Sequence, residues 1–133
     1  MWKQCRRAIC FSDRNASYGR PRSEIHRSPR RTELDVEAGR KAAHLAALNV
    51  LAVAREHLGS LDKVTRIVRL GVSVATSGDV RDQPKVADAA SELLQDIFGK
   101  EKNPCRLVYG VASLPLGTPV ELEVIFEVAG VTA

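Results

Sequence analysis

The sequence has few of the residues that build disulfide frameworks, metal sites or membrane spans. It holds only 3 cysteines, Cys5, Cys10 and Cys105, whose irregular spacing does not suit a disulfide framework. No apolar run reaches the roughly 18 residues that a membrane-spanning helix requires. His44 and His57 lack an acidic or cysteine partner at metal-binding spacing. We therefore expect free thiols in a reducing, cytoplasmic compartment, with no cofactor, no metal ion and no membrane partner.

Charge is unevenly distributed along the chain. The net charge is +4, but residues 1–32 hold 9 Lys/Arg and 2 Asp/Glu, whereas residues 33–133 hold 11 and 14. Hydrophobic residues make up 44% and charged residues 27% of the 133, which is typical of a globular protein with one packed core. The basic character therefore belongs to the N-terminal segment and indicates nothing about the partners of the remaining chain.

Residues 1–31 show neither the alternation of a strand nor the stripe of a helix, so we expect a disordered basic segment. Arginine clusters such as HRSPRR can bind nucleic acid without a fold. A solvated basic tail is the commoner outcome of such a run. We therefore rank RNA binding last among the functions considered, and we expect no nucleic-acid partner.

Two helices and a strand are predicted between Thr32 and Gly99. Asp35 and Asp82 are placed to cap the helices, and Gly59 and Gly99 to end them. The strand, residues 63–76, alternates as a strand covered on one side does. The residues predicted to face the core are Val36, Ala43, Ala47, Val50, Leu51, Ala54 and Leu58 on the first helix, Val64, Val68, Leu70, Val72 and Val74 on the strand, and Val86, Ala90, Leu93, Leu94 and Ile97 on the second helix.

The stretch CRLVYGVASLPLGTPVELEVIFEV, residues 105–128, predicts two further strands joined as a hairpin by a turn at Pro115 and Gly117. Arg106 opens the first of them, and hairpin pairing would place it nearer to Glu127 than to Glu121. On the second strand, the glutamates alternate with the apolar residues Val120, Leu122, Val124 and Phe126. The order of elements predicts an α+β layer in which two helices cover one face of a small sheet.

The sequence resembles the RidA/YjgF family over about residues 32–128. The resemblance lies in LGSLDKVTRIVRL, DQPKV, IFG, CRLVYGVASLPLG and PVELEVIFEV. The last two are the most specific, since the family pattern has an arginine, a short apolar strand, Leu-Pro, a turn and then Val-Glu-x-Glu. The resemblance implies a chorismate-mutase-like fold and a homotrimer that binds a small carboxylate.

Catalytic members of that family hydrolyse reactive 2-imino and enamino acids to 2-keto acids and ammonia. The resemblance implies that Arg106 grips the substrate carboxylate and that Glu121 is the catalytic acid near the attacking water. A guanidinium offers a carboxylate a bidentate fork, and a carboxyl group can orient water and transfer a proton. We expect these groups to meet in a pocket between subunits, where a neighbouring copy covers the Glu121 face of the sheet.

Two departures from the family pattern leave alternatives open. Ser91 and Val108 stand where many active members have an asparagine and a cysteine, so a non-catalytic, carboxylate-binding relative is the alternative function. The N-terminal hairpin that completes the family sheet is not recognisable in residues 1–31, so we expect its strands to be missing or replaced. We hypothesise a disordered or out-of-frame segment, residues 1–31, joined to a RidA-like domain, residues 32–133.

Overall fold

The computed structural model describes residues 8–13, 32–76, 80–102 and 104–129. Four strands form one sheet in the order β1-β4-β2-β3. Strand β4 is antiparallel to β1 and to β2, whereas β2 and β3 are parallel. The fold is α+β, as predicted. The elements are β1 (Ala8–Asp13), α1 (Thr32–Leu58), β2 (Val64–Ala75), α2 (Gln83–Phe98), β3 (Cys105–Val111) and β4 (Val120–Val128).

Both helices pack on the same face of the sheet, which confirms the predicted layer. Burial along β4 alternates strictly, with every second residue inside. These residues meet the apolar stripe of α1, which is buried as predicted apart from the half-buried Val36. One continuous core results. The residues that β4 contributes to it are Val120, Leu122, Val124, Phe126 and Val128.

The helix ends agree with the sequence at Gly59, at Gly99 and in the position of Asp82, and they differ at Asp35. Gly59 has φ 82° and donates its N–H to the Arg55 carbonyl at 2.8 Å, so it ends α1. Helix α1 begins at Thr32, which leaves Asp35 inside the first turn rather than at the cap. Asp82 precedes α2, but its side chain makes no capping hydrogen bond. It binds Lys85 at 2.9 Å instead, and this hydrogen bond raises the pKa of Lys85.

The predicted hairpin is wrong, because β2 lies between β3 and β4. The turn expected at Pro115 and Gly117 exists, but the segment that contains it passes over the end of β2. Two backbone hydrogen bonds hold it there, from the Ala75 N–H to Pro119 and from the Thr76 N–H to Val111, both at 2.9 Å. A helix between two strands of one sheet favours parallel pairing, and α2 supplies that crossover from β2 to β3.

Strand β2 contains two register irregularities that change which residues face the core. They lie between Val64 and Arg66 and between Ile67 and Arg69. An extra residue in one strand reverses the alternation beyond it, so a strict two-residue pattern fails here. Ile67 is therefore buried, and Val68, predicted to be inside, is only half-buried. On α2, Ile97 was also predicted to face the core, but it is 44% exposed.

Part of the basic N-terminal segment takes part in the sheet. Residues 8–13 form β1 and pair with β4 from Ala8 opposite Glu127 to Asp13 opposite Leu122. This differs from the expectation that residues 1–31 would carry no regular structure. An unpaired β4 edge would expose a row of backbone donors and acceptors, and β1 satisfies them. The Asp35 side chain, HRSPRR and the remainder of that basic segment lie outside what the structure describes.

We predict that Phe126→Ala lowers the free energy of unfolding by about 3–5 kcal/mol, because a fully buried ring is replaced by a cavity. The Phe126 ring also lies 6.1 Å, centroid to centroid, from that of Phe98. Urea denaturation measures the change. Val53→Ala on the exposed side of α1 is the control and should change stability by less than about 0.5 kcal/mol. Equal effects of the two variants would contradict the assignment of faces.

Candidate functional site

The face of the sheet opposite the helices carries the polar residues that could form a site. Side chains in adjacent register on neighbouring strands point to the same side. One row across this face runs from Tyr109 on β3 through Ser73 on β2 to Glu121 on β4. The next row runs from Leu107 through Gly71 to Glu123. We call this face, which neither helix covers, the open face.

A depression of about 120 Å³ lies on the open face. Its size suits a small ligand rather than a drug-sized one, for which pockets of roughly 300–1,000 Å³ are usual. Basic, acidic and hydroxyl groups surround it together. The lining residues are Arg69, Gly71, Val72, Ser73, Tyr109, Glu121, Leu122 and Glu123.

The depression exists because Gly71 has no side chain. A Cβ atom built on Gly71 would lie 3.5 Å from the Glu123 Cβ and 3.9 Å from one Glu123 carboxylate oxygen, both ordinary contact distances. Its φ is not in the left-handed region, so a larger residue would meet no backbone strain. Because Gly71 has no side chain, a space remains open between the neighbouring side chains on β2, β3 and β4. Any larger residue at position 71 would fill that space.

Arg69 lies at one end of the depression, two residues before Gly71 on β2. Its Nε is buried and has no hydrogen-bond partner among the described residues. Its register neighbours, Cys105 on β3 and Ile125 on β4, carry no carboxylate. A buried N–H without an acceptor is costly, and such groups in native proteins call for an explanation.

The structure does not bring Arg106 and Glu121 together within one chain. Arg106 pairs in register with the buried Leu70, so its side chain points to the helix side of the sheet. There one guanidinium nitrogen, Nη1, donates to the Asp88 carboxylate at 2.7 Å and to the Ser91 hydroxyl at 3.1 Å. Glu121 is half-buried on the open face. The two predicted site residues therefore lie on opposite faces of the sheet.

Glu127 is bound by Arg66 and not by Arg106. The Arg66 Nε donates to a Glu127 carboxylate oxygen at 2.9 Å, and the Thr65 hydroxyl lies 3.2 Å from the other oxygen. Hairpin pairing predicted Arg106 as the neighbour of Glu127, but the arginine found there is Arg66 on β2. With Arg66 exposed, this ion pair contributes well under 1 kcal/mol to stability and leaves Glu127 outside the depression.

Arg69 is the site residue that the sequence-based assignment omitted. A signal was present, because Arg69 and Ser73 share the strand parity that the core does not use. The parity alone did not show which glutamates face them, since that depends on β2 pairing with β4. In the part of the chain that the structure describes, no group of three metal-binding side chains is found. Nor does any described helix have the length and apolarity to cross a membrane.

Comparison with known proteins shows relatives of similar fold. Protein TCP17 of Trypanosoma cruzi is 40% identical over 95 residues, which are 71% of this chain and 59% of that protein. The crystal structure of Atu1372 from Agrobacterium tumefaciens, of unknown function, has a TM-score of 0.69 and 33% identity, covering 71% of this chain and 61% of that one. A Shewanella oneidensis structure called a "putative endoribonuclease" has a TM-score of 0.66 and 29% identity over 70% and 62% of the chains.

The chain thus spans about three fifths of the length of these relatives. A family model described as "YjgF/chorismate_mutase-like, putative endoribonuclease" matches residues 26–128, which include both helices and strands β2, β3 and β4. The match extends over most of the sequence and contains the whole depression. Because the similarity of fold and the match of sequence agree, this chain belongs to the YjgF/chorismate mutase-like family.

Proposed function

We propose that this protein binds small 2-imino acids at the open face and hydrolyses them to 2-oxo acids and ammonia. The observation that carries the proposal is the position of Glu121 at a small polar depression in a chain of this family. Water adds to the carbon of the protonated imine and gives up one proton to a carboxylate of the protein. The carbon–nitrogen bond of the resulting carbinolamine then breaks, the hydroxyl proton leaves, and a 2-oxo acid and ammonia are formed.

Glu121 is the residue we assign to this proton transfer. It lies in register with Ser73, and both line the depression together with Tyr109, so an imine carbon held there would be close to a carboxylate and two hydroxyl groups. As a base, the carboxylate takes a proton from the attacking water. As an acid, it returns the proton to the departing nitrogen.

We propose further that a second copy of the chain covers the open face. Strand β3 lies at the sheet edge, and Tyr109 on it is 53% exposed. The half-buried side chains Leu107, Val111 and Ile125 add apolar area to the same face. Covering this surface would exclude water from the depression and strengthen the charge interactions within it. A homotrimer is the assembly that the family resemblance implies.

Arg106 keeps a place in this assembly as a proposed carboxylate ligand. Because it points away from the depression of its own chain, it would have to act at the depression of a neighbouring copy. It lies on the edge strand and is 31% exposed, so only its contacts with Asp88 and Ser91 would have to be exchanged. A partly exposed ion pair of this kind costs about 1 kcal/mol or less to break.

The alternative is a member that binds carboxylates without turnover. Ser91 and Val108, which depart from the pattern of many active members, favour it. Ser91 accepts a hydrogen bond from Arg106, and Val108 packs against the core. Neither side chain is among those that line the depression. Measurement of turnover therefore decides between the two functions.

We predict that Glu121→Gln lowers kcat for freshly generated 2-iminopropionate by about 100-fold or more, because the amide cannot transfer the proton. Ammonia release is measured directly. Affinity for pyruvate, the 2-oxo acid product, should change less than about threefold. Glu127→Gln is the matched control on the same strand and face, since Arg66 holds Glu127 outside the depression. Unchanged ammonia release in Glu121→Gln would refute the catalytic assignment.

We predict that the protein sediments as three chains of 14.5 kDa and that Val111→Glu on the open face reduces it to smaller species. A charge placed in a covered apolar surface is costly to bury. Val53→Glu, on the exposed side of α1, should leave the mass unchanged. A wild-type monomer at micromolar concentration, measured by sedimentation equilibrium, would contradict the covered pocket.

We predict that mixed trimers of Arg106→Gln and Glu121→Gln recover activity that neither variant has alone. If a site combines Arg106 of one chain with Glu121 of the next, random mixing in a ring leaves about a quarter of the sites intact. The variants are mixed by co-expression, with two different affinity tags for isolation. Absence of recovery would show that Arg106 and Glu121 do not act across an interface.

A further inference from the structure

We propose that Arg69 binds the carboxylate of the ligand in the depression, on the same chain that supplies Glu121. The proposal rests on the function proposed above and names a residue that the family pattern did not indicate. It also defines the ligand class, which is a small molecule with one carboxylate and a protonated imine or amine nitrogen. Arg69, Glu121 and Glu123 all line the depression. The arginine offers a positive charge to the ligand carboxylate, and the two glutamates offer negative charges to the ligand nitrogen.

The unpartnered Nε of Arg69 is the first observation in favour of this role. That atom is buried and lacks an acceptor within the described residues, although it belongs to a permanently charged group. A carboxylate can accept from Nε and one Nη together, in the side-on bidentate arrangement that guanidinium groups favour. A ligand carboxylate at this end of the depression would therefore satisfy the one buried side-chain donor that has no partner among the described residues.

The spacing along β2 is the second observation. Arg69 and Ser73 lie on the open face on either side of Gly71, each about 6.6 Å from it along β2 and therefore about 13 Å from one another. Because Gly71 has no side chain, nothing from β2 stands between them. A ligand lying over Gly71 would place its carboxylate near Arg69, while its far end would lie in the row of Ser73, Tyr109 and Glu121.

The charges around the depression decide which carboxylates fit. Within one chain, one guanidinium and two carboxylates line it. Arg106 of a neighbouring copy is assigned to the same ligand carboxylate as Arg69, so a second negative charge on a ligand would still meet Glu121 and Glu123. A protonated nitrogen next to the ligand carboxylate would instead be attracted by these two residues, since opposite charges within a few ångströms stabilise each other. The arrangement therefore selects 2-imino acids and 2-amino acids over dicarboxylates.

The test measures dissociation constants of pyruvate, malonate and L-alanine by NMR titration of the full chain, next to 2-iminopropionate turnover. We expect Arg69→Gln to weaken pyruvate and alanine binding about tenfold or more, because it removes a charged, bidentate contact. The matched control is Arg66→Gln, an arginine of the same strand that pairs with Glu127, and its dissociation constants should stay within threefold of wild type. Malonate should bind wild type more weakly than pyruvate does.

A second variant keeps the test independent of any folding defect in Arg69→Gln. Gly71→Val places a side chain on the floor of the depression, where its Cβ would make ordinary contacts without backbone strain, and it should also abolish pyruvate binding while Arg69 itself is retained. Thermal unfolding and the dispersion of amide chemical shifts verify that both variants are folded.

Each outcome separates this inference from the proposed function. If the Arg69→Gln variant binds pyruvate and turns over 2-iminopropionate as well as wild type does, the role of Arg69 is overturned and the hydrolase proposal stands. Binding that depends on Arg69, but without ammonia release, would overturn the hydrolytic function and support the site. A wild-type protein that binds none of the three probes would overturn both. Tighter binding of malonate than of pyruvate would overturn the ligand class.

Discussion

The pairing of β2 with β3 on one side and β4 on the other is the constraint on which the rest of the structure depends. Because β2 is central to these three strands, each row of residues crosses all of them and has a fixed side of the sheet. One set of rows meets α1 and α2 and forms the core. The other set gathers Arg69, Ser73, Tyr109 and Glu121 on the open face. If one strand moved by one residue relative to its neighbours, its core residues and its open-face residues would exchange sides.

The features that depend on local periodicity could be predicted from the sequence. The alternation of β4 placed Phe126 inside and Glu121 outside, and the stripe of α1 placed Val50 and Leu51 in the core; the structure agrees on all four. Such patterns arise from the geometry of a single helix or strand and require no knowledge of partners. The α+β layer follows from them, because two striped helices need an apolar sheet face to cover.

Features that depend on partners could not be predicted in the same way. A turn such as the one at Gly117 fits a hairpin as well as a passage over β2, and only tertiary packing chooses between them. The two register irregularities in β2 exchange Ile67 for Val68, although both residues have similar apolar side chains. For the site, parity placed Glu121 on the open face. Arg106 was assigned to the same pocket from the family resemblance, and Arg69 was overlooked because its neighbours depend on strand order.

The charges proposed to bind the substrate also bear on the release of the product. In this proposal, a ligand with a protonated imine next to a carboxylate would be held by Arg69 at one end and by Glu121 and Glu123 at the other. Hydrolysis replaces the cationic nitrogen with a neutral carbonyl oxygen, so the product would lose its attraction to the two glutamates and would retain the contacts of its carboxylate. Since the glutamates interact with a positive charge that is present before the carbon–nitrogen bond breaks and absent afterwards, they favour the bound substrate over the bound product. In this proposal, the same pair of carboxylates would select the ligand and would also favour release of the product.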